Sequence, residues 1–312
     1  MYKKLNTYIY NLVSANVPWT NVYGLARTIL ALATAMTLAI NDASIFFKPS
    51  SGVEIFPNCS RNISIFCLVP NEYFYLNLVR WICVILLIII ASGWRPNITG
   101  IIHWWISYSF NVSAIAIDGG EQVASVFTLL LIPVTLTDPR KWHWQKFNKE
   151  KYLQSTKLMY FGAITLVTFL IIRVQVAILY FNSTVAKLGV EDWINGTAVY
   201  YYVQDPMLGF PPFLLNLVKY IIESPLIVIP TWGTLIIQMC LFAFLFAPKK
   251  HWGKMFFISI FFHEIIAVML GLISFSMAML AVLILYLRPI EKEFHFKKLK
   301  PSSLKGVMKK SI

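Results

Sequence analysis

Across 312 residues, 58% apolar and 15% aromatic content with a mean hydropathy of +0.65 exceeds what a soluble core of this size needs, which excludes a soluble globular domain. The 27 Lys and Arg against 14 Asp and Glu, a net charge of +13, would serve nucleic acid only if spread along one soluble face. They fall instead in alternate connecting segments, so nucleic acid is excluded as a partner and the expected class is an all-α polytopic protein of the cell membrane.

A hydrocarbon core about 30 Å thick takes roughly 20 apolar residues as helix. Residues 1–21, with YKKLNTYIYNLV, read as a cytoplasmic segment holding a short interfacial helix. The ALATA element at 31–35 imitates a signal-peptide cleavage site, but the polar stretch before it is too long, so the first span is expected to be retained. About eight transmembrane helices then fill a domain over 22–290: Val22 to Ile45, Tyr73 to Gly93, Ile98 to Ile117, Val123 to Thr137, Leu158 to Phe181, Pro225 to Phe246, Met255 to Leu270 and Leu272 to Leu287. The last two share the run FFISIFFHEIIAVMLGLISFSMAMLAVLILYL, too long for one span and predicted to turn near Gly271. The short fourth span carries Pro133, which a membrane helix tolerates where neighbours satisfy the freed carbonyl.

Basic residues of short loops remain cytoplasmic, so their positions predict the orientation. Twenty of the 27 lie in the N-terminal segment, at Arg95, in 138–157, in PKKHWGK and from Arg288 onward. The opposite set holds Lys48, Arg61, Lys187 and Lys219, while Arg27, Arg80 and Arg173 lie within spans. Both termini are therefore expected in the cytoplasm, with extracytoplasmic loops near 46–72 and 183–224 and a basic tail over 291–312 suited to anionic lipid. In the second of those loops, YYYVQDPMLGFPPF is too apolar for a solvated segment and is expected at the outer interface. Cys59 and Cys67 share the first loop, where an oxidising exterior permits a disulfide, two free thiols being the alternative.

Charges at membrane depth are costly unless they face the bundle interior, so each is a functional candidate. Arg27, one turn from the cytoplasmic end, is expected to snorkel. Arg80, two turns from the outside, calls for a buried partner. Arg173, beside Gln175, lies near the middle of the fifth span. If that helix continues through FNSTVAK, then Arg173, Ala177, Tyr180, Thr184 and Lys187 share one face and line a polar cleft over about 21 Å, with Asn182, Glu191 and Asp192 nearby. The alternative for Lys187 is an interfacial anchor beside Trp193.

His263 and Glu264 are adjacent in the seventh span and point about 100° apart, so one partner cannot hold both. Proton handling and an interhelical hydrogen bond are the two readings of that pair. In DGGEQ, Asp118 marks a turn and Glu121 opens a helix, where a capping role leads. No Walker loop, dinucleotide-binding glycine pattern, tandem repeat or zinc-binding HExxH motif is present, and no metal site is expected.

AKLGVEDWINGTAVYYYV, preceded by RVQVAILYF, resembles the fifth-helix signature of the horizontally transferred transmembrane (HTTM) domain, related to the membrane part of vitamin K-dependent gamma-glutamyl carboxylases. HEIIAVMLGLISFSMAMLAVLILYLRP, with Phe275 and Met279, is similar to that family's late helix. SGWRPNITGIIHWWISYSFN, IDGGEQ and LLLIPVTLTDPRKWHW point more narrowly to the branch of sporulation-delaying protein B. The resemblance implies that Lys187 is a catalytic base and that His263 binds or orients substrate, with a quinone as cofactor. Such a base needs an unprotonated amine near neutral pH. It also implies a role in maturing a secreted antimicrobial peptide, the partners being a precursor peptide and a small protein of the same system. Where the carboxylases carry a further histidine, this chain has DGGEQ. Two classes therefore stand: a maturation enzyme with an outward-facing cleft, and a non-enzymatic adaptor that assembles precursor, partner and protease. A transporter is disfavoured by the lack of an inverted repeat.

Overall fold

A computed structural model describes residues 2–49, 56–59, 62–115, 117–206 and 209–295. Arg61, part of the first loop and the tail beyond residue 295 lie outside the described residues. No strand forms among those described, and every element is helical. In chain order the helices are α1 (Tyr2–Ala15), α2 (Asn21–Ile40), α3 (Ala43–Phe46), α4 (Tyr73–Ala91), α5 (Pro96–Ser113), α6 (Gly119–Thr137), α7 (Lys149–Leu153) and α8 (Thr156–Leu188). They continue with α9 (Glu191–Ile194), α10 (Ala198–Val203), α11 (Pro212–Ile222), α12 (Val228–Ala243), α13 (Lys249–Leu270) and α14 (Ile273–Leu287).

Among the described residues, six helical segments are long and apolar enough to cross a membrane: Asn21–Ile40, Tyr73–Ala91, Gly119–Thr137, Thr156–Leu188, Pro225–Ala243 and Lys249–Leu270. The other two expected spans are helices of a different kind. α5 is 18 residues long but broken up by Asn97, His103, Asn111 and several hydroxyls. α14 has 15 residues, about 22 Å at 1.5 Å per residue, shorter than the apolar layer. Its sequence, ISFSMAMLAVLILYL, is apolar on every side, the pattern of a helix enclosed by others. α14 is accordingly the central rod, packed against α2, α6, α8 and α13.

Local signals explain the boundaries. Thr20 caps α2 by accepting from Val22 N–H, Asp118 caps α6 by accepting from Gly120 N–H, and Ser155 caps α8. Gly271 ends α13 in the left-handed region at φ 69°, which an L side chain adopts reluctantly. The chain turns there into a tight hairpin: His263 meets Phe275 with ring centroids 5.7 Å apart, and Glu264 accepts from Ser276 Oγ at 2.9 Å.

α8 runs on to Leu188, because the sequence between Gly162 and Gly189 has no glycine or proline to stop it. The segment expected as a loop, 183–224, is largely helical, holding the end of α8 and then α9, α10 and α11. On α11, Phe213, Leu217 and Tyr220 are 70%, 76% and 89% exposed, an apolar face free to contact lipid.

Two ends of the bundle differ sharply. At one, here the basic end, the N-terminal helix, the 92–95 and 138–155 connections and the segment after α14 meet. Tyr152 donates to Val13 O at 3.0 Å, Arg95 N–H to Lys141 O at 2.7 Å, and Phe294 N–H to Asn21 Oδ1 at 2.9 Å. Arg140 pairs with Asp138 at 2.7 Å, and Tyr23 donates to the same carboxylate. At the opposite end, Cys59 and Cys67 form a disulfide, and Ser64 donates to Ser109 O.

Arg27 corrects an expectation. It is fully buried rather than snorkelling, donating to Thr99 Oγ1 at 2.6 Å and lying 3.5 Å from His143 Nδ1. Burial, with the Arg27 and Arg140 charges adding to it, holds the His143 imidazole down at about 2. An unfolded chain takes a proton on this histidine below about 6.5 while the folded one refuses it. Stability is thus complete above that pH and falls as the pH drops toward 2. The melting temperature of detergent-solubilised protein is expected to decline on acidification below pH 6.5, with a shallower decline in His143→Asn.

Candidate functional site

The strongest candidate is a cavity of about 410 Å³ among α6, α8, α12, α13 and α14. Its walls are apolar except for carboxamides, hydroxyls and one imidazole: Gln122 from α6, Gln175, Asn182 and Ser183 from α8, Gln238 from α12, and the Tyr180–His263 pair. Tyr180 Oη lies 2.9 Å from His263 Nε2, both side chains being buried. Among the described residues the other imidazole nitrogen, His263 Nδ1, has no hydrogen-bond partner, nor has Gln238 Oε1. Buried polar atoms left open beside a cavity are the usual sign of a ligand or water that completes them.

Close helix packing brings Phe275 to this wall. A Cβ placed on Gly120 would come within 2.7 Å of the Phe275 Cα, so only glycine lets the first turn of α6 lie against the start of α14. Asp118 ties the same two elements together by accepting from Ser274 Oγ at 2.9 Å. Asp118 is therefore the cap of α6 and a strut for α14.

Lys187 stands at the rim. Its Nζ donates to Ser183 Oγ at 2.8 Å, one hydrogen bond from the cavity lining, and lies 5.3 Å from the centroid of the Trp193 ring. Among the described residues it forms no ion pair. The acidic pair faces elsewhere: Glu191 accepts from Asn195, and Asp192 lines a smaller pocket of about 170 Å³ with Trp193, Tyr201 and Tyr202.

The remaining predicted residues separate from the cavity. Ala177, Tyr180 and Thr184 do share the inward face of α8. Arg173 does not join Lys187 in a cleft; it donates to the Tyr286 carbonyl in the last turn of α14 and stacks over Trp252 with 3.8 Å to the ring centroid. A free helix-end carbonyl accepts from the guanidinium and carries the negative pole of the helix, whereas the cationic lysine offers it no acceptor. Arg80 acts in the same way on α2, donating to Leu38 O and, at 2.9 Å, to Asn41 O, and is steadied by Asn77 Oδ1 at 2.8 Å. Glu121 caps nothing: it is 2% exposed and accepts from Thr34 Oγ1 of α2 at 3.1 Å. The helix dipole favours an acid at this position, but the inward face of the first turn takes it away from the free N–H groups. Glu264 is held by Ser276 rather than by the partner of His263. No group of three or more His, Cys, Asp or Glu among the described residues could hold a metal.

Gln238 went unrecognised because it is uncharged, within LIIQMCLFAF. An amide in a run of that hydropathy is itself the signal, since it also needs partners in lipid.

Comparison with known proteins yields two close relatives, both from Bacillus subtilis (strain 168). The chain is 54% identical over 280 residues to the uncharacterized protein YitO, covering 89% of each chain. It is 34% identical over 277 residues to the sporulation-delaying protein SdpB, covering 88% of this chain and 83% of the relative. No family model matches the sequence, and no solved structure matches it.

Two substitutions test the site's architecture. Tyr180→Phe leaves the imidazole without its partner and is expected to cost about 1–3 kcal/mol, read as a lower melting temperature. Gly120→Val forces α14 away from α6 and is expected to do more damage, with Phe275 losing protection from chemical or exchange probes.

Proposed function

The chain belongs to the family of the sporulation-delaying protein SdpB, and from that premise we propose that it matures a secreted antimicrobial peptide within the membrane. The observation that carries this reading is the cavity with Lys187 at its rim and the Tyr180–His263 pair in its wall. In this reading eight helices cross the bilayer, α5 and α14 included, and the HTTM-like domain keeps both termini in the cytoplasm. The disulfide end faces outward, so the cavity opens toward a precursor peptide presented there with its small partner protein.

Lys187 serves as the base. It stands where a proton taken from substrate can pass to water, and the Ser183 hydroxyl fixes its direction. His263 orients the reacting group through the nitrogen that Tyr180 leaves open. A quinone fits the lining: Phe275 and Met279 give its ring an apolar wall, His263 Nδ1 suits a carbonyl oxygen, and Gln238 Oε1, an acceptor, suits the hydroxyl of the reduced form. Bound there, such a group would supply oxidation chemistry that the side chains lack.

The adaptor reading is favoured by one observation. Lys187 contacts a serine hydroxyl and a tryptophan face, which is how a lysine anchors a helix end at an interface. Here the protein would hold precursor, partner and protease together without altering a bond.

Intact-mass measurement of the secreted peptide, from cells with and without this protein, separates the two. A carboxylase-like step adds about 44 Da, as the reaction class requires; an unchanged mass with lost secretion supports the adaptor. Lys187→Ala, expressed at the wild-type level, is expected to abolish the mature peptide, and full secretion from that variant would rule Lys187 out as the base.

A further inference from the structure

Away from the cavity, the interface of α2, α5 and α6 carries a row of buried polar side chains that the maturation chemistry leaves unused. On α5, Thr99, His103 and Ser107 recur every fourth residue and so share one face, with exposures of 3%, 2% and 0%. They cover about 12 Å of helix. On α2, Arg27 and Thr34 are both fully buried. Arg27 donates to Thr99 Oγ1 at 2.6 Å, and Thr34 donates to Glu121 Oε2 of α6 at 3.1 Å. The Arg27–Thr99 contact lies beside His143 at the basic end, and the Thr34–Glu121 contact lies at the first turn of α6, toward the other end.

Three of the six buried side-chain atoms that lack a hydrogen-bond partner among the described residues belong to this row: Arg27 Nε, His103 Nε2 and Ser107 Oγ. A guanidinium, an imidazole and a hydroxyl left open in an apolar medium each carry a desolvation cost, and internal water is what ordinarily satisfies such atoms. Arg27 also forms no ion pair among the described residues. The nearest acid at the basic end, Asp138, is already held by Arg140 and Tyr23.

We propose that the α2–α5–α6 interface is a hydrated file that passes protons between the basic end and Glu121, and that the fixed charge of Arg27 gates it. A proton arriving through water binds His103 at Nε2 and leaves to the next water. The Ser107 hydroxyl passes it on by accepting one proton as it releases another. Glu121 takes it as a carboxylate and returns it to water at the disulfide end, beside Asp118. Each group ends as it began, so no oxidant or reductant is required. The guanidinium raises the energy of an excess proton beside it, as an arginine does in pores that exclude protons. Flux through the wild-type protein is therefore slow.

The test uses the full chain in liposomes loaded with a pH-sensitive dye, with a pH step imposed and valinomycin and K⁺ compensating charge. Wild-type vesicles are expected to equilibrate faster than protein-free ones, and Arg27→Gln at least about tenfold faster again. Glu121→Gln or His103→Phe placed in the Arg27→Gln background should return the rate to that of protein-free vesicles. Equal rates in protein-free, wild-type and Arg27→Gln vesicles overturn the proposal, as does an Arg27→Gln flux that the second substitution leaves untouched. Should Arg27→Gln fail to fold, hydroxyl-radical labelling of wild-type protein by water radiolysis decides it. Modification of His103 at the level of an exposed histidine supports the hydrated file, and a protected His103 overturns it.

Discussion

The free carbonyls at helix ends organise this bundle. Within an apolar layer an unpaired C=O is expensive, and water is not there to satisfy it. Two of the three arginines at span depth answer that demand directly: Arg80 reaches the last turn of α2, and Arg173 reaches the last turn of α14. Each guanidinium brings a positive charge to the negative pole of a helix and several donors to carbonyls that lack them. α2 can thus end at Ile40, and α14 can end as a buried rod only 15 residues long.

With α14 held at both ends, by Arg173 at one and by Asp118 and Gly120 at the other, the surrounding helices gain a fixed partner. The cavity is a consequence. α6 and α13 touch α14 at its start, where Phe275 meets Gly120 and His263, while α8 and α12 lean across the same region with carboxamides. A site made from five helices needs each of them registered to within a fraction of a turn. The hairpin at Gly271 and the struts on α14 supply that register.

Charged groups are segregated by purpose. The carboxylate buried in the bundle interior, Glu121, is met by a threonine hydroxyl, and Glu264, on the exposed side of α13, by a serine hydroxyl, neither of them by a cation. Cations are met by carbonyls, hydroxyls and aromatic faces. Among the described residues, the ion pair buried on both sides is Asp138–Arg140, at the basic end. Avoiding buried pairs elsewhere spares the fold two desolvation costs at each site and leaves neutral, hydrogen-bonding walls around the cavity.

The sequence by itself determined the helical class, most helix positions and the Gly271 turn, because apolar runs, caps and glycines act over a few residues. It also determined that Ala177, Tyr180 and Thr184 share a face of α8, since that follows from helical pitch alone. Only the tertiary structure decided which partner each polar group meets. Arg173 looked like a member of the Lys187 stripe, yet it turns to a carbonyl some 113 residues away in the chain. Glu121 looked like a cap, yet it faces Thr34 across the interface with α2. Gln238 gave no sign of its place in the cavity wall. Pairing across helices depends on rotation and register between elements far apart in sequence, which no local pattern encodes; in an apolar medium, satisfying every polar group is the condition that selects among the arrangements.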